Sequence, residues 1–204
     1  MPLVRKPPSA AATPVPDSRT PAEIFAAGSD DERWTAARGA AESPDGISLL
    51  ADALSKERIP RVREAIFTAL AKIATPDSAA VALPFLRSDD AAERTAALDA
   101  LRAMPAAAAR HLSSLMNDSD PDVRLLACEI ARLLPAGDAS RALGELIERE
   151  MNGNVCAAAV EVLAETGDVA SLPILARCAA RFPNDPFLTF AVRAASDRIG
   201  SHNR

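Results

Sequence analysis

The sequence predicts an all-α chain, a right-handed α-solenoid (superhelix) of five to six stacked helix pairs. Three observations carry that prediction. The first is composition. Of 204 residues 49% are apolar, yet only 3% are aromatic and Tyr is absent, so the core must be built from Ala and aliphatic side chains. Ala is the strongest helix former, and it dominates here. The second is a period. Residues 88–105 read SDDAAERTAALDALRAMP and residues 118–135 read DSDPDVRLLACEIARLLP. A shift of 30 places lays Asp90 on Asp120, Arg94 on Arg124, Ala97 on Ala127, Met104 on Leu134 and Pro105 on Pro135. Self-similarity at such a period marks a stacked-repeat architecture. The third is punctuation. Asp120 suits a helix N-cap and Pro121 the first helical position, while PAGD and ATPD are stop-and-turn signals.

The elements follow in order. Residues 1–20 carry Pro2, Pro7, Pro8, Pro14 and Pro16 and read as a disordered or polyproline-like arm. The plain reading is an unstructured terminus. The sharper one is a partner-binding tail that uses Val4, Arg5 and Lys6. The repeat domain spans 21–204, with units near 24–54, 55–86, 87–116, 117–147, 148–180 and 181–200. Arg33, in SDDERWTAARGAAESPD, opens the series. In IPRVREAIFTALAKIATPD, Pro60, Val62 and Arg63 match Pro121, Val123 and Arg124. Moving forward, Gly137-Asp138 falls on Gly167-Asp168, and Ala127, Ile130 and Leu133 fall on Ala157, Val160 and Leu163. NDPFLTFAVRAASDRIG closes the chain with looser spacing. Each unit has room for two helices of about 10 to 14 residues.

NDSDPDVRLLACEIARLL resembles the second helix of a HEAT repeat, in the short form of the HEAT-like repeats of phycobilin lyases and related bacterial proteins. The resemblance covers about residues 29–200. It implies that a helix-start Asp and the Arg four residues later form a ladder between units. Asp90 with Arg94 and Asp120 with Arg124 fit it, while Arg33 and Arg63 fit its Arg half. The fifth unit departs, with Asn154 in the Arg place and Glu150 in the Asp place. The resemblance also implies that the second helices line the concave surface.

At 100° per residue, Val123, Leu126, Ala127, Ile130, Leu133 and Leu134 share the core arc of the fourth unit. Leu125, Cys128, Glu129 and Arg132 then face the groove. Thr95, Leu98, Asp99 and Arg102 do so in the third unit, and Glu64, Phe67, Thr68 and Ala71 in the second. The fifth helix, NGNVCAAAVEVLAE, is apolar nearly all round, with Val155, Ala158, Ala159 and Val162 at its groove positions. Either the closing unit covers this face with Phe187 and Phe190, or a partner docks from Leu125 to Val162.

No chemistry is legible. The chain has no nucleophile elbow, Walker loop, dinucleotide glycine pattern or HExxH. The HEAT-like hydroxylases use paired His-Glu dipeptides, whereas Leu112 follows His111 and Asn203 follows His202. Asp89-Asp90 reads as a helix cap rather than an acid/base pair. Cys128, Cys156 and Cys178 lack metal-ligand spacing and read as free packing thiols. A net charge of −5 with interspersed signs argues against nucleic-acid binding, including the basic groove of HEAT-like DNA glycosylases. No apolar run spans a bilayer and no secretory leader is legible, so the expectation is a cytoplasmic protein, bacterial in composition, without cofactor or metal. Trp34 reads as a cover for the first end of the stack, or as a partner hot spot. The function expected is a non-catalytic scaffold or adaptor for a protein partner, as a monomer or weak homodimer. The alternatives are a bilin lyase or cofactor-handling subunit, which the resemblance allows, and a regulatory adaptor of a two-component or chemotaxis-like system, which no motif supports.

Overall fold

Caps in the sequence set where the helices start. The structure, a computed structural model, describes residues 18–202; the segment with Val4, Arg5 and Lys6 lies outside the described residues. Thr20 and Ser29 form capping boxes with Glu23 and Glu32 at the starts of α1 (Pro21–Ala27) and α2 (Asp30–Ala40). Next come α3 (Gly46–Lys56) and α4 (Pro60–Ile73), the latter opened by Pro60. Thr75 caps α5 (Pro76–Ala82), which runs into a 3-10 turn over Leu83–Arg87. Asp90 caps α6 (Ala91–Ala103), and two short helices follow, α7 (Pro105–Ala109) and α8 (Leu112–Met116). Asp120 caps α9 (Pro121–Ala131), α10 (Ala136–Arg149) follows, and Asn152 caps α11 (Gly153–Thr166). A 3-10 turn at Val169–Ser171, α12 (Leu172–Arg181) and α13 (Pro186–His202) complete the chain.

The described residues form an all-α solenoid of helix hairpins, with no strand among them. The hairpins fall at 21–40, 46–73, 76–103, 105–131, 136–166 and 169–202. The unit limits expected from sequence grouped each second helix with the first helix that follows it, so the hairpin frame is shifted by one helix. The second helices α2, α4, α6, α9, α11 and α13 pack side by side as one layer, over a layer of first helices. Leu50, Leu54, Ile66, Leu70, Leu101, Ile130, Leu143, Leu146 and Leu163 are fully buried between the layers, interleaved with Ala37, Ala97, Ala127 and Ala159. The small side chains bring neighbouring helices close and leave the aliphatic ones to fill the space. Among the described residues no helix is long and apolar enough to cross a membrane.

Two first helices are shorter than expected. In the third hairpin Pro84 lacks the N–H that would continue α5, and the chain tightens into the 3-10 turn. In the fourth, the amides of Arg110 and His111 bond three residues back, to Ala107 at 3.2 Å and Ala108 at 2.9 Å, and the helix restarts at Leu112. The His111 ring stands 2.9 Å from the Pro76 carbonyl, tying this break to the start of α5.

The apolar second face of α11 has a structural cause. The helix is flanked by α9 and α13 and lies over α10. Gly153 lies near Phe182 and Asp185, and Gly167 near Ile199, which marks the flank turned to the last hairpin. Val155, Ala159 and Val162 project from the other flank, toward α9, and are buried at 1%, 0% and 0% exposure. The last hairpin contributes Leu188, Val192, Ala195 and Ile199 to the core, while Phe187 and Phe190 point outward, 69% and 59% exposed. The expected cover by Phe187 and Phe190 is therefore corrected: a helix with neighbours on three sides needs apolar residues on three sides. Val162→Asp should lower the unfolding free energy by about 3 kcal/mol or more, since it strands a charge inside. Phe190→Ser should change it by about 0.5 kcal/mol or less. Denaturant titration followed by circular dichroism measures both.

Candidate functional site

An arginine in the first turn of each second helix, from α2 to α9, bonds back to its own loop. The Arg33 Nη1 donates to the Gly28 carbonyl at 2.7 Å, that of Arg63 to Glu57 at 2.8 Å, that of Arg94 to Ser88 at 2.6 Å and that of Arg124 to Asp118 at 2.8 Å. The rest of the guanidinium reaches the next hairpin. Arg33 donates to the Glu57 carboxylate at 2.7 and 3.3 Å, and Arg124 to Glu150 at 2.7 and 2.9 Å. Arg63 pairs with Glu93 in α6. Among the described residues Arg94 has no carboxylate across its seam; there Arg87, half exposed, pairs with Asp118 instead.

The acidic half of the expected ladder is thereby corrected. Asp90 and Asp120 do not bridge units: their short side chains turn back to accept the amides of Ala92 at 2.8 Å and Asp122 at 2.9 Å. The bridging carboxylates are Glu57, Glu93 and Glu150, whose longer side chains span the seam. In the fifth unit Asn154 is exposed and its amide bonds to Asn152. Arg181 of α12 covers the vacated place, donating to the carbonyls of Ile147 and Glu150. Burial pushes the Glu150 carboxyl up, but bonds from Arg124 and from the Asn152 and Met151 amides outweigh it and leave the group below the usual carboxylate range. Glu57 follows the same balance, with Arg33 and the Ile59 and Arg58 amides opposing burial.

The layer of second helices is open between α4 and α6 and bridged by ion pairs between α9 and α11. Between α4 and α6 lies a crevice of about 730 Å³. Its walls include Glu64, Phe67, Thr68, Ala71, Thr95 and Asp99, which helical phase set opposite the core and the HEAT-like resemblance set in the groove, along with Ala96, Ala100 and Ala103. Arg102 stands beside Asp99 at 3.8 Å. Toward α9 and α11 the surface is locked. Arg132 bonds Glu129 at 3.2 Å within α9 and reaches Glu161 and Glu165 of α11. Leu125 and Ala158 are half-buried against the core. Val155, Ala159 and Val162 are inside it, so they line no groove.

The remaining candidates are structural. Trp34 on α2 packs against the core, with the guanidiniums of Arg38 and Arg61 over its ring at 4.6 and 4.9 Å. All three cysteines are free and buried. Burial pushes the Cys128 thiol up to about 12, with the neighbouring Glu129 charge adding to the shift. The Cys156 thiol, whose Sγ donates to the Glu150 carbonyl at 3.8 Å, is likewise held protonated, first by the neighbouring Cys178 thiol and then by burial.

A stack of helix hairpins tied by arginines, with its second helices side by side in one layer, defines a helical-repeat protein. The HEAT-repeat family model matches residues 22–102 and 109–196, more than half of the sequence, and the chain belongs to the HEAT-repeat family. Among solved structures, Cex1p is similar at 14% identity with a TM-score of 0.53, over 89% of this chain but 43% of that one, so this chain spans less than half its length. An engineered protein is similar at 18% identity and a TM-score of 0.44, over 89% of this chain and 95% of that one. The complex of CpcE and CpcF of phycocyanin lyase from Nostoc sp. PCC7120 is similar at 18% identity and a TM-score of 0.43, over 93% of this chain and 79% of that one. Identities this low speak to the fold alone. No curated protein matches the sequence.

The ladder makes a quantitative prediction. Arg124→Ala should destabilise by about 3 kcal/mol, because it leaves the buried Glu150 carboxylate without its partner. Arg94→Ala, which loses a bond to one carbonyl, should cost about 1 kcal/mol. The carboxyls of Glu57 and Glu150 have lowered folded values, so their stabilisation is present above the ordinary carboxylate pKa of about 4 and is lost as pH falls through those values. Unfolding midpoints measured below about pH 4 should therefore drop, and less steeply in Glu150→Gln than in wild type.

Proposed function

We propose that this chain is a non-catalytic interaction scaffold that seats an extended segment of a protein partner in its groove, chiefly between α4 and α6. The observation that carries this reading is the crevice itself. It is flanked by two second helices whose groove-facing rows combine small residues with exposed Thr68, Thr95, Glu64 and Asp99. Small walls admit a partner backbone, and the polar rows supply bonds for its amides and charges. Asp99 and Arg102 belong to this proposed surface. Leu125, Glu129 and Arg132 border its closed end.

A second reading has one observation in its favour. A crevice of about 730 Å³ also falls in the size range of small-molecule sites, which leaves room for a bilin-lyase-type or cofactor-handling subunit. Co-expression with a bilin and its acceptor protein tests it, and absence of covalent chromophore transfer eliminates it.

For the scaffold reading, the test is affinity capture from the native cell with wild type and with a Thr68→Arg, Thr95→Arg double variant. Both positions are exposed, so the variant should keep its helical circular dichroism and its unfolding midpoint. Partners captured by wild type should be missing from the variant and present with a Glu145→Arg control on α10, which belongs to the other layer. Retention of every partner by the double variant would sink the reading.

A further inference from the structure

Each second helix from α2 to α9 carries its ladder arginine in the same place, counted from the helix cap. Ser29, Ile59, Asp90 and Asp120 are the caps, and Arg33, Arg63, Arg94 and Arg124 follow in the first turn. The repeat shift put Asn154 in this place in the fifth unit. Asn152 caps α11, however, and the same count from that cap arrives at Cys156. The thiol also makes the arginine's bond. Arg63, Arg94 and Arg124 each donate to the carbonyl six residues back, and the Cys156 Sγ donates to the Glu150 carbonyl, again six back, at 3.8 Å. Across the seam, where Arg124 meets the Glu150 carboxylate, Cys156 meets a second thiol, that of Cys178 on α12. The rung of this seam is a pair of sulfurs in place of an ion pair.

The surroundings favour chemistry at one of the two. Both cysteines are fully buried. Arg181, one turn after Cys178, donates to the same Glu150 carbonyl at 3.5 Å, and Gly153 of α11 lies near Phe182, so the end of α12 meets the start of α11 around the sulfurs. The Arg181 guanidinium bonds carbonyls rather than a carboxylate, and its buried Nε has no partner. The bond from Cys156, helped by the Arg181 charge, outweighs burial and holds the Cys178 thiol below its usual range. A thiolate is the reactive form of cysteine, so Cys178 is the thiol that attacks and Cys156 the one that resolves. Access comes from position in the stack. The last hairpin has a neighbour on one side only, and terminal units of a linear array open most easily.

We infer that Cys156 and Cys178 are an oxidative modification site, which a peroxide closes to a disulfide that ties the last hairpin to α11. The Cys178 sulfur attacks one peroxide oxygen and the O–O bond breaks. The hydroxide that leaves takes the proton released by the thiol and becomes water, and Cys178 is left as a sulfenic acid. The Cys156 sulfur then attacks the Cys178 sulfur, the S–O bond breaks, and a second water carries away the oxygen with the Cys156 proton. Two thiols give up two electrons and two protons, and one peroxide is reduced to two waters.

The test treats the dilute, native full-length chain with hydrogen peroxide, alkylates the remaining thiols after denaturation, and maps the unreduced peptides by mass spectrometry. The expected product is a monomer lighter by two hydrogens, with the Cys156 and Cys178 peptides joined and Cys128 alkylated. Hydrogen exchange of the α12 and α13 amides should slow by about tenfold or more in this product and recover with dithiothreitol. In Cys156→Ser, which cannot close the bond, dimedone should trap Cys178 as the sulfenic acid. Cys128 oxidised as readily as the pair would mean that peroxide acts on the unfolded chain, and would overturn the inference. So would a pair that stays fully alkylated, or disulfides confined to covalent dimers. A Cys156–Cys178 bond that leaves the exchange of α12 and α13 unchanged would overturn the tie.

Discussion

Stacking these hairpins depends on a guanidinium that faces two ways. An arginine one turn into a second helix uses one nitrogen to satisfy a carbonyl of the loop before that helix, and the others to reach a carboxylate of the next hairpin. Loop carbonyls at such a corner lie out of reach of the helix ladder, and leaving them unbonded is costly. Arg suits the post because its planar fork offers several donors in fixed directions and stays charged when half-buried. Its acceptor works both ways as well. The Glu150 Oε1 takes the Arg124 guanidinium and the amides of Met151 and Asn152, so one carboxylate shapes the entry to α11 while holding it to α9. Local loop shape and inter-unit register are therefore fixed by the same pair of side chains.

Much of this architecture was legible because it is periodic. The repeat, the Asp and Pro helix starts, most of the buried aliphatic positions and the outward phase of Glu64, Thr68, Thr95 and Asp99 follow from spacing along one helix, but Leu133, expected in the core, is 39% exposed, and Cys128, expected to face the groove, is fully buried. What could not be read depends on the distance between helices. Glu57, Glu93 and Glu150 look like ordinary charged residues in the sequence, because their partners lie 24 to 30 residues away along the chain. The Asp of the motif drew attention as the acidic partner, yet its side chain is short and its own helix amides are nearer. The same limit affects α11. Its apolar circumference could not reveal whether a helix or a partner met the second face. The closing hairpin's phenylalanines were the obvious cover, but Leu188 and Val192 face the core instead.

The groove inherits its character from the alanine that builds the core. A layer of second helices with small contact residues draws its members close, and the opening between α4 and α6 is also walled by Ala71, Ala96, Ala100 and Ala103. Such walls offer little grip to a bulky side chain and little resistance to a main chain. Recognition there would rest on backbone contact and on few charges, which favours ligands that are extended before they bind.

The seam between α6 and α9 gives the stack a thermodynamic grain. In a linear array the free energy is approximately a sum of each unit's own stability and of couplings between neighbours. At this seam the half-buried Arg94 spends its bond within its own hairpin, and the crossing is left to one contact from the half-exposed Arg87 to the buried Asp118 carboxylate, where the seams of Arg33, Arg63 and Arg124 each have a half-buried arginine. The weakest coupling of a one-dimensional chain is where its cooperativity divides. Under rising denaturant the two blocks on either side would then melt as separate units, so a single two-state midpoint would average over two transitions rather than describe one.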